Sequence, residues 1–342
     1  MPPPHPLTWL EVRPEGFHVK PGGFWVDPLR PVPLAVVTHG HSDHARPGHG
    51  AVLATAETLA IMQARLGPEA CGACRALAWG ETVELGEVRV WLAPAGHVLG
   101  SAQLVMEYHG TRVVVSGDYK RRPDPTCRGF EPVPCDLFVT EATFGLPVFR
   151  HPPAEAEIAK LLHSVEIFPE RCHLIGAYAL GKAQRVIALL RAAGWDRPIH
   201  IHGALHAMCA LYARHGIELG ELRPATAGAR GRARPDLAGE IVIAPPSAIA
   251  DLWARRLPEP VICLASGWMR VRQRAKQRGV ELPLVISDHA DWDELLQTAR
   301  DVRAPEVWVT HGREEALVHA LTQQGIRARA LALVGYEEEG GG

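Results

Sequence analysis

The sequence predicts an α/β protein with a second α/β unit in the middle of the chain. Three observations lead there. Short apolar runs near both ends of the chain stop at histidine or aspartate, and the middle alternates helix-like with strand-like segments. The composition, 47% hydrophobic and 22% charged over 342 residues, is that of a soluble globular chain able to bury a substantial core.

The apolar run Leu34-Ala35-Val36-Val37, bounded by Pro33 and a glycine, reads as a short buried strand. Directly after it, Thr38-His39-Gly40-His41-Ser42-Asp43-His44 packs three imidazoles and a carboxylate into a loop. Neutral imidazole nitrogen and carboxylate oxygen suit zinc and its first-row neighbours, and a loop can turn alternate side chains toward two centres. A solvated turn would favour Gly, Asn and Ser over four such ligands. Upstream, Phe24-Trp25-Val26-Asp27 reads as a strand stopped by Pro28, and an Asp at a strand end can simply begin a turn.

Downstream, Val52-Leu53-Ala54-Thr55 reads as a strand, and Thr55 caps a helix running to Arg65 that Gly67 ends. Val88, Val90 and Leu92 alternate along a strand that stops at Pro94 and leads to Ala95-Gly96-His97. Residues 104–108 and 112–115 form a hairpin around Gly110, which delivers Ser116-Gly117-Asp118. A carboxylate placed there can bridge two cations at the roughly 3.5–4 Å separation of two-metal sites. The strand Asp136-Leu137-Phe138-Val139-Thr140 then ends at Glu141.

From about Pro147 the pattern changes. Helices are expected over 154–168, 181–193 and 204–215 and from Ser247, and strands over 173–177, 199–202, 241–244 and 261–265, with an exposed Arg- and Gly-rich loop at 227–235. That alternation implies a parallel sheet covered by helices. The last section returns to strand-end ligands: residues 284–287 lead into Asp288-His289-Ala290-Asp291, and Val307-Trp308-Val309-Thr310 leads into His311-Gly312. Helices follow from Trp292 and over 314–324.

Composition narrows the class. The net charge of −2 gives the whole molecule no basic footprint. A chain can nevertheless confine its positive charge to one groove. No apolar run reaches membrane-spanning length, and the Pro-rich start lacks the regions of a signal peptide, so cytoplasmic residence is expected. Seven scattered cysteines fit a reducing compartment better than a disulfide framework. Cys71-Gly72-Ala73-Cys74 has the spacing of half a zinc site or a redox pair, yet no second such pair exists, and Cys127 and Cys135 could complete it only by folding back. His200, His202 and His206 lack a nearby Asp or Cys and read as structural, and the Glu337-Glu338-Glu339 tail reads as solvating.

His-x-His-x-Asp-His after a strand resembles the signature of the metallo-β-lactamase fold. With Thr-Glu141-Ala-Thr-Phe-Gly, Ser-Asp-His289-Ala-Asp and Val-Thr-His311-Gly, the chain resembles the β-CASP branch of that fold. This branch consists of nucleic-acid-processing nucleases that include RNase J and the endonuclease of mRNA 3′-end formation. Ala179-Leu180-Gly181-Lys182-Ala183-Gln184 and Ala265-Ser266-Gly267-Trp268-Met269 resemble the branch's cap helix start and glycine turn. Within it, Pro21-Gly22-Gly23-Phe24, Ser116-Gly117-Asp118-Tyr119-Lys120-Arg121 and Phe144-Gly145-Leu146-Pro147 are most similar to the bacterial ligase-associated DNA damage response exonucleases.

The resemblance implies an αββα sandwich, residues 1–146 and 280–342, with an α/β cap inserted over 147–279. It implies a two-metal phosphodiesterase that acts as a DNA exonuclease in repair, with hydroxide attacking the scissile phosphate. Two divalent ions, zinc first and manganese as the alternative, would be held by His39, His41, His97 and Asp118 and by Asp43, His44, Asp118 and His311. Asp27 would orient the loop from behind. His289 would protonate the leaving oxygen, with Glu141 or the adjacent Asp288 holding its ring. Lys120, Lys182, Ser266, Gly267, Arg270 and Arg274 are candidate phosphate grips; if residues 270–278 are helical, Arg270, Arg274 and Arg278 share one face, and the alternative is a solvated charge run. Implied partners are nucleic acid, DNA before RNA, an ATP-dependent DNA ligase and a DEXH-box helicase, and no membrane. An RNA-processing nuclease shares every motif; a thioester or lactam hydrolase would lack the insertion, and a non-enzymatic binding module would lack ligands.

Overall fold

The computed structural model describes residues 3–225 and 237–331. The Arg-rich loop at 227–235 and the acidic tail lie outside the described residues. Contacts divide the chain into two compact units: residues up to Val148 together with those from His289 onward, and Phe149–Asp288. Among the described residues no helix is long and apolar enough to cross a membrane.

The first unit holds two sheets. In one, β1 (Leu10–Arg13), β2 (Gly16–Val19) and β3 (Phe24–Val26) are antiparallel, and β4 (Leu34–Val36), β5 (Ala51–Ala54) and β6 (Ala73–Ala76) continue it in parallel. In the other, β7 (Val83–Leu85), β8 (Val88–Pro94), β9 (Ala102–Tyr108) and β10 (Thr111–Val115) form a meander. It is extended in parallel by β11 (Leu137–Ala142), then by β18 (Glu306–Gly312) and β19 (Arg327–Ala330), which follow the second unit in sequence.

Strand periodicity decides which side chains meet. Phe17, Val19, Phe24, Val26 and Leu53 of the first sheet share one core with Val90, Leu92, Leu104, Met106, Val139 and Trp308 of the second, so the two sheets pack face to face. The intervening residues point outward. Ala35, Val52 and Ala54 meet Met62 of α1 (Ala56–Leu66). Val105, Val114, Phe138 and Val307 meet Trp292 and Leu295 of α7 (Trp292–Asp301) and Leu317 and Leu321 of α8 (Glu314–Gln323). The order is helix, sheet, sheet, helices.

α1 starts where the sequence places it. Thr55 Oγ1 accepts from Thr58 N at 3.1 Å and donates to Gly100 O at 2.7 Å, capping the helix and tying it to a second loop. Thr55→Ala removes both bonds and is expected to lower the stability of this unit by about 1–2 kcal/mol, read as a lower denaturation midpoint.

The second unit is a parallel sheet in the order β14 (Leu222–Pro224), β13 (Ile199–Ile201), β15 (Ile241–Ala244), β12 (His173–Gly176), β16 (Val261–Ala265), β17 (Leu282–Leu284). Its central strands β12 and β15 are buried throughout, as expected of strands covered on both faces. The helices are α2 (Ala154–Ile167), α3 (Lys182–Ala192), α4 (His206–Arg214), the single turn α5 (Pro246–Ile249) and α6 (Arg272–Gln277).

Three local expectations are corrected. The unit runs to Asp288 rather than 279, because β17 pairs in parallel with β16. Residues 285–287 are not strand: Val285 N donates to Glu157 at 2.7 Å, and Lys182 and Arg185 take the carbonyls of Ile286 and Ser287, so these groups leave the ladder. Residues 270–278 are not one helix: Val271 is extended, φ −93° and ψ 100°, between a 3₁₀ turn over Gly267–Arg270 and α6, so Arg270 shares no helix face with Arg274.

Cys71 and Cys74 pair with each other as a disulfide, and Cys127 and Cys135 take no part in it. His202 Nδ1 accepts from Ala204 N at 3.2 Å and caps a turn.

Charge, nearly balanced overall, is divided between the units. Residues 149–288 carry 19 Lys and Arg against 13 Asp and Glu, a net +6, and the rest of the chain carries 17 against 25, a net −8.

Candidate metal centre

Strands β8, β10, β11 and β18 run in the same direction, so their carboxyl ends share one edge of the second sheet. His97 follows β8, Asp118 follows β10, Glu141 lies at the end of β11 and His311 at the end of β18. The loop after β4 brings His39, His41, Asp43 and His44 to the same place. Backbone at this edge is unusual. Asp27 and His311 have φ of +43° and +56°, where a non-glycine residue is strained by about 1–3 kcal/mol. Gly40 is required for another reason: a Cβ there would lie 2.4 Å from Ile61 Cγ2 of α1.

Asp118 is the centre of the cluster. Its Oδ2 lies 3.5 Å from His39 Nε2, 3.6 Å from His44 Nε2 and 3.7 Å from His97 Nε2. His97 Nε2 faces His41 Nδ1 at 2.9 Å, and His44 Nε2 lies 3.5 Å from Asp43 Oδ2. Ligand atoms of His39, His41, His97 and Asp118 fall within 4.8 Å of one another, as do those of His39, Asp43 and His44. The second grouping differs from the sequence reading, since it includes His39; the His311 ring stands 5.3 Å from that of His44.

Two of the ring nitrogens that face away from the cluster are held. Asp27 Oδ2 meets His44 Nδ1 at 2.7 Å, and because a carboxylate only accepts, the proton is on Nδ1 and Nε2 is left for a ligand role. The other Asp27 oxygen accepts from Thr38 N at 2.7 Å, and Oδ2 also accepts from the Thr38 hydroxyl at 2.6 Å. With its proton directed at Asp27, Thr38 Oγ1 accepts from His39 Nδ1 at 3.1 Å, which aims His39 Nε2 at Asp118. Asp27→Ala is expected to weaken divalent-cation binding by about 10–100-fold, measured by titrating Zn²⁺ in competition with a chromophoric chelator.

These donors fit a divalent cation. His39 Nε2 and Asp43 Oδ1 are buried without a hydrogen-bond partner, a costly state that a cation relieves. Burial presses the imidazole of His39 well below its ordinary value and that of His311 down to about 3. Burial acts the same way on His44, but Asp118, Asp43 and Asp27 outweigh it and hold that ring up to about 10. The carboxyl of Asp118 is pushed up, chiefly by burial. His39 and His311 are thereby kept neutral, as ligands must be, while His44 and Asp118 would give up their protons to solvent when a cation takes their lone pairs, and a nitrogen and oxygen set accepts zinc or manganese alike.

Beside the cluster, His289 Nδ1 lies 3.0 and 3.1 Å from the two oxygens of Glu141, which also accepts from Tyr119 N at 2.8 Å. Glu141 is thus a carboxylate on this ring, as the sequence reading has it. Asp288 pairs with Lys182 inside the second unit.

That pairing corrects one candidate grip. Lys182 is 3% exposed, its ammonium held by Asp288 and by Ile286 O at 3.3 Å, so its charge is not presented to a phosphate. Ser266 Oγ is taken by Trp268 N at 3.3 Å, and Gly267 and Lys120 are buried. Arg270 is exposed, and the Arg274 guanidinium lies 4.1 Å over the Trp268 ring.

Sequence reading missed Thr38 and Arg65. Thr38 is adjacent to the His-rich run and could have been suspected from its hydroxyl. Arg65 of α1 donates to Gly40 O at 2.5 Å, between His39 and His41, with no local signal.

No family model matches the chain. A protein named as a probable DNA ligase from Opitutus terrae is 29% identical over 95% of this chain, which spans 31% of that relative. A ribonuclease from Thermus thermophilus is 31% identical over 51% of this chain and 46% of its own length. The cleavage and polyadenylation specificity factor subunit 3 of Dictyostelium discoideum is 34% identical over 32% of this chain and 14% of its own length. The chain thus spans less than half the length of each of these relatives. A crystal structure of a protein of unknown function from Enterococcus faecalis matches with a TM-score of 0.53 at 14% identity, covering 88% of this chain and 80% of that one, a likeness of fold alone. Motifs and relatives together fit a metallo-β-lactamase β-CASP nuclease near the ligase-associated family.

Proposed function

We propose that this chain is a two-metal phosphodiesterase that degrades DNA from an end in repair. Its first unit would be the metallo-β-lactamase αββα sandwich and its second the β-CASP cap. The observation that carries the reading is the convergence on Asp118 of His39, His44 and His97, with the Glu141–His289 pair alongside. One set, His39, His41, His97 and Asp118, and a second drawn from Asp43, His44, Asp118 and His311, would hold the two cations, zinc first and manganese as the alternative. When bound, they supply Lewis-acid activation of water and of a phosphoryl oxygen. His289, with its Nδ1 proton directed at Glu141, has Nε2 left to give a proton to the departing oxygen.

The division of charge supports a nucleic-acid substrate, because the second unit is net positive and Arg270 and Arg274 lie in it. DNA is favoured by the extent of similarity, since the relative named as a DNA ligase matches over 95% of the chain. The name of that relative also supports work beside a DNA ligase; family resemblance alone adds that the ligase is ATP-dependent, that a DEXH-box helicase is a further partner and that the setting is the cytoplasm. RNA processing is the second reading, favoured by the names of the Thermus and eukaryotic relatives.

The test is digestion of end-labelled single-stranded DNA and RNA of one sequence with Zn²⁺ or Mn²⁺, beside an Asp118→Ala control. Progressive metal-dependent shortening of DNA, absent in the control, is the expected result. Preference for RNA moves the protein to the processing branch, and cleavage of neither, in either metal, overturns the nuclease reading.

A further inference from the structure

The loop that follows Asp118 is fastened to the segment that carries His289, and both lie in the first unit. Tyr119 O accepts from Ala290 N at 2.7 Å, so the residues next to Asp118 and His289 share a main-chain bond. Beyond it, Arg122 reaches the start of α7. Its NH2 donates to Asp291 Oδ2 at 2.7 Å and its Nε to Glu294 Oε1 at 3.0 Å. These two acids are also the capping box of the helix: Asp291 Oδ1 accepts from Glu294 N at 3.1 Å, and Glu294 Oε2 from Asp291 N at 2.9 Å. The guanidinium therefore meets the other oxygen of each acid. Farther along the helix, Arg121 donates to Thr298 Oγ1 at 3.2 Å and pairs with Asp301 at 2.6 Å.

A surface ion pair would deserve little weight, since most contribute about 0–1 kcal/mol. This one differs in two respects. The Asp291 side chain is 3% exposed, and the planar fork of an arginine meets two acceptors that a lysine ammonium cannot span in the same geometry. The acids it holds begin two residues after His289 and fix the first turn of the helix that follows.

We propose that Arg122 is a positioning residue: through the capping box of α7 it sets His289 in register with Asp118, and so aims the imidazole. The proposal rests on the reading of His289 as proton donor, and its test is arranged so that the two can fail separately. The variants are Arg122→Gln and Arg122→Lys in the full chain. Amide exchange at Ala290 reports the register without any catalysis and is expected to quicken about tenfold in Arg122→Gln. In the nuclease assay kcat is expected to fall about 10–100-fold, as for a small misplacement of a reacting group, with KM and Zn²⁺ affinity unchanged. Arg122→Lys should recover the melting midpoint but not kcat. Quickened exchange in a protein that cuts no nucleic acid supports the fastening and overturns the nuclease reading. Unchanged Ala290 exchange, or full kcat in Arg122→Lys, overturns the positioning role.

Discussion

Asp118→Asn is expected to abolish phosphodiester hydrolysis, by about 10³-fold or more, while leaving the fold intact. The carboxylate has no substitute in the site. One of its oxygens stands 3.5–3.7 Å from the Nε2 atoms of His39, His44 and His97. The amide keeps the shape but removes the charge that would offset the two proposed cations. Elemental analysis of the purified variant should show less bound metal per chain than the parent, and circular dichroism should be unchanged because Asp118 lies past the end of β10 rather than in the core. Full activity with a normal metal content would sink the two-cation reading.

The second large effect is expected at Glu141. It is 1% exposed and accepts from His289 Nδ1 and from Tyr119 N, so it sets both the tautomer and the direction of the imidazole. In Glu141→Gln the amide oxygen can still accept from one donor, but its NH₂ opposes the other. His289 loses the carboxylate that stabilises its charged form, and kcat is expected to fall about 10²–10³-fold, the range for a positioned acid or base. KM and metal content should be little changed. His289→Ala should cost as much, and the double variant no more than either single one, because the two residues act as one unit. Additive losses would show that Glu141 does something other than hold His289.

Much of the candidate site could be read from sequence for a chemical reason. Metal ligation admits few side-chain types, and it places them in loops at strand ends, where a polar group need not be packed away. His39, His41, Asp43 and His44 sit within one loop, and His97, Asp118 and His311 each announce themselves beside a strand that apolar alternation marks. The same alternation anticipates the parallel second unit and the Thr55-capped helix, both of which depend on patterns a few residues long.

What the tertiary structure alone decided concerns choices among distant partners. Several carboxylates and cations were in reach of one another in sequence terms. Glu141 reaches His289 from 148 residues away, and Lys182 reaches Asp288 from 106. Arg122 finds the capping box of a helix that starts 170 residues later, and Arg65 finds a carbonyl in the His-rich loop. The end of the second unit moved to Asp288 because a short strand, Leu282–Leu284, found a place at the sheet edge. Local pattern specifies which groups must be satisfied; burial specifies by whom, because removing a charge or a backbone donor from water leaves only the partners that packing brings within hydrogen-bond distance.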